Sequence, residues 1–219
     1  AYQGIEGSYS ESCAREKYPD CKTFISCKTF DEVFDKANGN ENIMAIIPES
    51  NKTTGNIGVE YLIFKYRLNI CAEHFYPIRH HLLGLPGTKL EDIKNVYSHA
   101  QGLSQCSNFI KKNSLIENVR ADTAGSAKYI SVNKDKKEAA IASKESAKIY
   151  NLDVLASNIE DEKENVTRFL IFSKKILQPD LDKKKYITSI LFKLKSKPAA
   201  LYSALSGFAI QGVNLTKLQ

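Results

Sequence analysis

The fold class is decided between residues 93 and 143, which read IKNVYSHAQGLSQCSNFIKKNSLIENVRADTAGSAKYISVNKDKKEAAIAS. Short β-branched or apolar runs alternate in this stretch with segments of helical spacing, which is the rhythm of strand and crossover helix. Together with the residues that follow, it predicts strands at 93–97, 117–120, 139–142 and 154–156, and helices at 101–112, 124–132 and 144–150. The stretch therefore predicts an α/β protein.

The same alternation continues on both sides of this stretch. Before it we expect helices at 9–18, 30–37 and 59–64 and strands at 23–25 and 44–47, and after it a strand at 169–172. Residues 173–185 are polar, contain Pro179 and are typical of a linker. A strand at 186–194 and a helix at 199–212 then resume the pattern, so we place a domain boundary at 173–186.

Composition limits the classes of protein. The 219 residues are 42% hydrophobic and 26% charged, as in folded globular domains, and no apolar run approaches the roughly 20 residues of a membrane helix. The net charge of +6 is local, because residues 173–219 carry nine lysines against Asp180 and Asp182. Lysine also outnumbers arginine 26 to 5, which does not favour nucleic-acid recognition. We expect neither a membrane nor a nucleic acid as partner.

Cysteine and histidine usage indicates the environment and the chemistry. The five cysteines are an odd number without a Cys-x-x-Cys pair, and no charged-then-apolar leader opens the sequence, so we expect a reducing, cytoplasmic location. Because the first residue is Ala1, we expect a trimmed native start. The four histidines lack zinc-site spacing and no phosphate-binding loop is present, so we predict no metal and no cofactor. A nucleophilic Cys106 beside His99 is less favoured than a buried, inert Cys106.

Small hydroxyl or acidic residues stand at four predicted strand-to-helix turns. They are the capping box Ser8-Tyr9-Ser10-Glu11, then Ser98, Asp122-Thr123 and Ser143. At each turn alone, helix capping explains the residue. Together, several helix N-termini at the carboxyl ends of strands predict a cleft rimmed with amide donors, which favours a carboxylate or a phosphate.

Six blocks of sequence, in family order, resemble prephenate dehydratase of the bacterial, monofunctional type. They are residues 3–11 (QGIEGSYSE), 58–59 with 73–75 (GV and EHF), 96–106 (VYSHAQGLSQC), 122–127 (DTAGSA), 139–143 (AAIAS) and 165–169 (NVTRF). The threonine-arginine-phenylalanine signature in the last block is the most specific match. Residues 188–218 resemble the start of an ACT regulatory domain.

The resemblance implies two α/β lobes similar to a type 2 periplasmic binding protein, with a cleft between them. The catalytic domain would cover residues 1–172, with lobe 1 at 1–72 and 155–172, lobe 2 at 73–154, and a linker at 173–186. Residues 187–219 would begin a βαββαβ ACT domain that is truncated at Gln219. In the family this domain binds L-phenylalanine between subunits and inhibits the enzyme. That implies a homodimer or homotetramer, with effector contacts at Ala200, Leu201, Asn214 and Leu215.

The implied reaction converts prephenate to phenylpyruvate with loss of carbon dioxide and water, in L-phenylalanine biosynthesis and without a cofactor. The implied catalytic residue is Thr167, whose hydroxyl would donate to the leaving oxygen as an orienter or proton conduit. Arg168 would bind a substrate carboxylate or, equally favoured, form an ion pair that braces the cleft. The other implied substrate-binding residues are Glu49, Asn51, Ser98, Gln105, Thr123 and Phe169, with Phe169 favoured as packing.

One loop departs from the family pattern of proline, apolar residue, glutamate, asparagine, serine or threonine, two variable residues and glycine. Here residues 48–55 read PESNKTTG, so the family glutamate falls on Ser50 and Lys52 replaces the hydroxyl. Either the loop shifts by one residue so that Glu49 serves, or the carboxylate is absent.

Two other functions stay open. Arogenate dehydratase differs only in an amino group in place of the substrate's keto group, and no residue in the sequence decides between the two. A non-catalytic sensor that binds an aromatic amino acid is the alternative from another class, and the altered loop at residues 48–55 is its support.

Overall fold

The computed structural model describes residues 1–176 and 186–216 and divides the chain into two compact units, 1–179 and 180–219. The strands β1 to β11 are Tyr2–Gln3, Ser26–Cys27, Ala45–Asn51, Gly55–Asn56, Asn69–Pro77, His81–Gly84, Asn95–Ser98, Ile116–Val119, Glu138–Ala142, Asp153–Ser157 and Val166–Ser173. The helices α1 to α8 are Tyr9–Lys17, Phe30–Gly39, Glu60–Tyr66, Ala100–Ser104, Ser107–Lys112, Thr123–Asn133, Lys144–Ile149 and Ala200–Ile210, with a 3-10 turn at Leu90–Asp92.

The first unit contains two sheets, which confirms the prediction of two α/β lobes. In lobe 1 the strand order is β2-β1-β3-β11-β5, and β4 pairs with β3. Strands β1, β2 and β3 are parallel, whereas β11 runs antiparallel to both β3 and β5. One face of this sheet packs through Phe34, Leu62 and Phe172, the other through Cys13, Phe169 and Ile171. Burial on both faces explains the uninterrupted apolar start of β3.

Lobe 2 has the strand order β10-β6-β9-β7-β8, with β7 parallel to β8 and β9. Helices α4 and α5 cover one face through Leu103, Cys106 and Ile110. Helix α6 covers the other face through Ala127 and Ile130. Because the parallel strands of each lobe end at the same sheet edge, the loops that follow them lie together at that edge.

The chain crosses between the lobes twice, and the sheets move both predicted lobe boundaries. Strand β5 belongs to lobe 1 as far as Pro77, so the first crossing is 78–80 and not residue 73. Strand β10 belongs to lobe 2, so the second crossing is 158–165 and not residue 155. The two crossings run side by side, because the Ile78 N–H donates to Asn165 O and the Ile159 N–H donates to His80 O, both at 2.9 Å.

The local structure of the first unit differs from the sequence predictions in four respects. The strand expected at 23–25 is displaced to β2, and strands β5 and β6 were not predicted. The helix expected at 101–112 breaks into α4 and α5, because Asp161 of the second crossing holds the break. Its N–H donates to Gln105 O at 2.7 Å, and its carboxylate accepts from the Asn108 N–H at 3.2 Å. The capping box is altered too: Ser8 accepts from the Glu11 N–H, but the Glu11 carboxylate accepts from the Gly7 N–H, at 2.7 Å.

The second unit is described between residues 186 and 216. Helix α8 confirms the helix expected at 199–212, but the described residues 186–194 form no strand, so that prediction was wrong. All the described residues of this unit are at least partly exposed. An apolar run such as Ile190 to Phe192 is therefore not buried, and it lacks the packing that would stabilise a strand. The linker lysines 183–185 lie outside the described residues. No helix in the described part of the chain is long and apolar enough to cross a membrane.

Candidate active site

Thr167 lies near the start of β11, at the edge of lobe 1 that carries the loops. It pairs with Asn51 of β3 on one side and with Tyr76 of β5 on the other. The residue is 6% exposed, and its Oγ1 accepts a hydrogen bond from Asn51 Nδ2 at 2.8 Å. Because the oxygen accepts this bond, the hydroxyl hydrogen is available to a ligand.

The orientation of the Asn51 amide is fixed by its own loop. Asn51 Oδ1 accepts from the Thr53 N–H at 2.9 Å and from the Thr54 N–H at 3.2 Å. The Nδ2 group must therefore face the other way, where it donates to Thr167 Oγ1 and to Asn165 Oδ1, each at 2.8 Å. A side-chain turn of this kind is a common use of asparagine after a strand.

The hydrogen bonds continue into lobe 2 through Gln105. Asn165 Nδ2 donates to Gln105 Oε1 at 3.0 Å, and Gln105 Nε2 donates to Thr53 Oγ1 at 3.1 Å. We call Thr167, Asn51, Thr53, Asn165 and Gln105 the amide network. All its members are neutral, and it joins β3, β11, the second crossing and the end of α4.

Arg168 points to the opposite face of β11 and forms an ionic cluster with two carboxylates. Its Nε donates to Glu73 at 2.8 Å and a terminal nitrogen donates to Glu49 at 3.3 Å. The side chains of Arg168 and Glu49 are 17% and 9% exposed. This is the bracing ion pair, one of the two roles considered for Arg168.

The structure also resolves the register of the loop at residues 48–55. Residue Ser50 pairs with Arg168 and Pro48 with Phe169, so Glu49 is an extra residue in β3, a β-bulge. Its carboxylate accepts from Arg168 and from Ser50 Oγ. Asn51, rather than Glu49 or Ser50, is the residue of this loop that contacts Thr167.

Three other predicted substrate-binding residues lie apart from the amide network. Phe169 is 1% exposed in the core of lobe 1, so packing explains it. Ser98 is fully buried and donates to Ile141 O at 2.8 Å, which holds two strands of lobe 2 together. Thr123 begins α6, behind the cap that Asp122 provides to the Gly125 N–H. The predicted effector residues Ala200 and Leu201 lie at the start of α8, whereas Asn214 and Leu215 follow that helix and are exposed.

The expected anion rim is largely occupied by the protein itself. The N-cap side chains of Ser8, Asp122 and Ser143 accept bonds from their own helices. Cys106 is fully buried, which raises the pKa of its thiol, and His99 Nδ1 accepts from the Gln101 N–H, so the two do not form a nucleophile and base. Among residues 1–176 and 186–216, no group of three His, Cys, Asp or Glu side chains is placed to hold a metal.

A cavity of about 370 Å³ opens where the crossings meet both lobes. Its lining mixes cations, carboxylates and aromatic rings, among them Arg79, Lys144, Glu16, Glu145 and Tyr76. Tyr76 is the strand neighbour of Thr167, but no member of the amide network lines the cavity. Its volume is within the range of small-molecule sites.

Sequence reasoning missed Asn165, Thr53 and His80. Asn165 is two residues before Thr167 on an extended segment, so the period-2 alternation of a strand could have placed the two side chains on one face. Thr53 had no signal beyond its place in a polar loop. His80 follows strand β5 on the first crossing, and its contacts depend on elements far apart in sequence.

The two lobes, the paired crossings and a neutral hydrogen-bonding site between them define a two-lobed α/β protein. Residues 1–176 match the prephenate dehydratase family, and the chain belongs to that family. Arogenate dehydratase 2 of Petunia hybrida is 42% identical over the whole chain, which covers 55% of that relative. The chain thus spans about half the length of the curated relatives it matches.

Solved structures that match over the whole chain include a prephenate dehydratase and a protein described as an acylase. The prephenate dehydratase of Arthrobacter aurescens, in complex with L-Phe, has a TM-score of 0.85 and 26% identity, and the match covers 75% of it. A structure described as GqqA, a novel type of quorum quenching acylase, has a TM-score of 0.82 and 30% identity, with 79% covered.

Proposed function

We propose that this chain carries the dehydratase activity of its family, the conversion of prephenate to phenylpyruvate. The observation that carries the proposal is the Thr167 hydroxyl, which accepts from Asn51 and so keeps its hydrogen for a substrate oxygen. The reaction breaks the bond to the departing carboxylate and the bond to the ring hydroxyl. The electron pair from the first bond enters the ring, the ring becomes aromatic, and the hydroxyl leaves with one proton as water.

The reaction needs little covalent catalysis by the protein. The hydroxyl is a poor leaving group, so a hydrogen bond that strengthens as negative charge develops on its oxygen lowers the barrier. Thr167 would donate that bond, and the proton that completes the water would come from solvent through the hydroxyl. Asn51 Nδ2 donates to the Thr167 oxygen at 2.8 Å, and the other hydrogen bonds of the amide network, at 2.8–3.1 Å, fix the amides behind it, which orients the donor before the substrate arrives.

The same geometry does not favour an acylase reaction. A threonine nucleophile needs a base that removes its hydrogen. In the described part of the chain, the group hydrogen-bonded to Thr167 Oγ1 is the Asn51 amide nitrogen, which is a donor and not a base. Cys106 is no substitute, because it is buried with a raised thiol pKa.

Arogenate dehydratase is the second candidate, because the Petunia hybrida relative carries that name. Arogenate undergoes the same elimination and leaves phenylalanine, so Thr167 would have the same role. The two substrates differ at the side-chain keto or amino group, and a comparison of kcat/KM for both substrates decides between the candidates.

The remaining family properties are part of the proposal. L-phenylalanine would inhibit the enzyme through the unit that follows the linker, supported by the L-Phe complex of the Arthrobacter aurescens structure. We also propose a homodimer or homotetramer and a cytoplasmic location.

The test uses purified protein with prephenate, with arogenate and with an acylated quorum-sensing molecule, in separate assays and without added metal. Formation of phenylpyruvate or phenylalanine supports the proposal, and the Thr167→Ser variant should keep much of the rate that Thr167→Ala loses. Deacylation without turnover of either cyclohexadiene would replace the dehydratase assignment, and binding of prephenate without turnover would favour the sensor.

A further inference from the structure

His80 lies on the first crossing, outside the amide network but bonded to it. The residue is 2% exposed. Its backbone is held by the second crossing, because its N–H donates to Glu160 Oε2 at 2.9 Å and its carbonyl accepts from the Ile159 N–H at 2.9 Å. A terminal nitrogen of Arg79 donates to the other oxygen of Glu160, at 3.2 Å. The ring therefore starts from a fixed backbone position.

Both ring nitrogens have partners from different lobes. His80 Nε2 is 2.8 Å from Gln105 Oε1 of lobe 2, and His80 Nδ1 is 2.9 Å from the Tyr9 hydroxyl of α1 in lobe 1. The Tyr9 ring also meets the imidazole edge-on, with ring centroids 5.5 Å apart. The imidazole is thus fixed in position and in tilt.

The partners determine which nitrogen carries the hydrogen. Gln105 Nε2 already donates to Thr53, so Gln105 presents its oxygen to His80, and an amide oxygen can only accept. His80 Nε2 is therefore protonated. Burial lowers the pKa of His80, outweighing the opposite influences of Gln105 and Glu160, and neighbouring His81 lowers it further. A neutral ring with Nε2 protonated leaves Nδ1 without a hydrogen. The single Tyr9 hydroxyl hydrogen then lies between two acceptors, His80 Nδ1 at 2.9 Å and Arg79 O at 2.8 Å.

We propose that His80 is a positioning residue for the reaction, one that holds the Gln105 amide in the orientation that completes the amide network around Thr167. This inference rests on the proposed dehydratase function. His80 has no contact with Thr167 and acts through Gln105, which is the network's member from lobe 2. The Asn51 end of the network is fixed by loop N–H groups, and the Gln105 end is fixed by His80.

Two substitutions of His80 distinguish a role in positioning Gln105 from a role of side-chain volume alone. In His80→Gln the longer amide can place an N–H where Nε2 stands, whereas in His80→Asn the amide is too short to reach Gln105. His74→Gln is the matched control, because that imidazole pairs with Glu16 on an exposed part of lobe 1. We expect His80→Asn to lower kcat about 30-fold with KM within about threefold, since small displacements of an orienting group act mainly on the chemical step. His80→Gln and His74→Gln should stay within about threefold of the wild type.

Coupling and pH dependence test the route through Gln105. In a Gln105→Ala background, His80→Asn should add little further loss, because the partner is already gone. The pH profile of kcat should keep its shape in His80→Gln, whereas a proton-transfer role for His80 would remove an inflection. Equal activity of His80→Asn and His80→Gln, or a full additional loss in Gln105→Ala, would overturn the proposal.

A measurement that does not depend on turnover tests the inference even if the proposed function is wrong. Nitrogen NMR of the labelled wild type at pH 7 should show His80 with a protonated Nε2 and an unprotonated Nδ1. The Gln105 side-chain amide signals should move in His80→Asn and stay in place in His80→Gln. The opposite tautomer, or an unmoved Gln105 signal in His80→Asn, overturns the inference even if neither prephenate nor arogenate is converted. An inactive wild type with the expected tautomer and signals would refute the dehydratase assignment alone.

Discussion

Thr167 and Arg168 are consecutive residues of β11, yet their side chains lie on opposite faces of the strand and make different kinds of interaction. The Thr167 face is a network of neutral amides and hydroxyls, and the Arg168 face is a guanidinium between two carboxylates. The neutral groups fix one another's orientation by hydrogen bonds, and they do not remove the hydrogen of the Thr167 hydroxyl. Charged groups of opposite sign hold the strand where it is. In the proposed reaction, reactivity would lie on one face of the strand and stability on the other.

The largest effect should follow from Thr167→Ala. Loss of the hydroxyl removes the donor to the leaving oxygen, and we expect kcat/KM to fall about 1,000-fold, in the usual range for such groups. The thermal midpoint should change little, because Asn51 Nδ2 keeps its bond to Asn165. Steady-state kinetics beside a melting curve measure both. Full activity in Thr167→Ala would end the assignment of reactivity to this face.

Asn51→Asp tests the direction of the hydrogen bond between Asn51 and Thr167. The substitution keeps an oxygen for the Thr53 and Thr54 N–H groups but replaces the nitrogen that donates to Thr167. Thr167 would then donate to the new carboxylate and not to the substrate, and we expect a loss of roughly 100-fold in kcat. Asn42→Asp adds the same charge at an exposed site and serves as control. An unchanged kcat would mean that the amide does not orient Thr167.

Arg168→Gln should affect stability and spare catalysis. It leaves two carboxylates without their shared cation, and for this partly buried cluster we expect a loss of about 2 kcal/mol in the free energy of unfolding. The urea midpoint reports the loss, and kcat of the folded protein should stay within about threefold. Lys52→Gln breaks an exposed ion pair with Glu164 and should leave the midpoint unchanged. A large fall in kcat with normal stability would instead favour a carboxylate-binding role for Arg168.

Acid should lower the free energy of unfolding through two buried histidines, His80 and His81. Burial lowers the pKa of His80 and His81 below the ordinary value of 6.5, so the unfolded chain binds these protons more readily than the folded one. Their contribution to stability is complete above pH 6.5 and is lost as the pH falls below it, by at most about 1.4 kcal/mol per pH unit for each ring. Urea midpoints at pH 7.5 and 5.5 should differ less in His80→Gln than in the wild type. Equal differences would contradict this account.

Much of lobe 2 could be predicted from the sequence, because its strands and helices have strong local patterns. Strands β7 and β9 lie between helices with clean apolar spacing, and their predicted bounds differ from the observed ones by at most two residues. Strands β5 and β6 were missed, since residues 69–84 mix histidine, glutamate and small residues without alternation. The break between α4 and α5 depends on Asp161, which is more than fifty residues away.

The candidate site was predictable residue by residue only where a motif covers it. Thr167 and Gln105 came from blocks that resemble the family and Asn51 from the altered loop at residues 48–55, and the structure links these three by hydrogen bonds through Asn51 and Asn165. The Glu49 register could not be predicted, because a bulge places one extra residue in a strand and this shows only when the strand is paired with its neighbour. The link through His80 joins four separate segments, and periodicity holds no information about such contacts.

Asp161 ties the second crossing to both sides of the helix break, through the Gln105 carbonyl and the Ser107 and Asn108 groups that start α5. Any separation of the lobes at that segment would also break the hydrogen bonds of Gln105 to Thr53 and Asn165. In the proposed reaction, release of the product and loss of the reactive geometry would then share a single trigger.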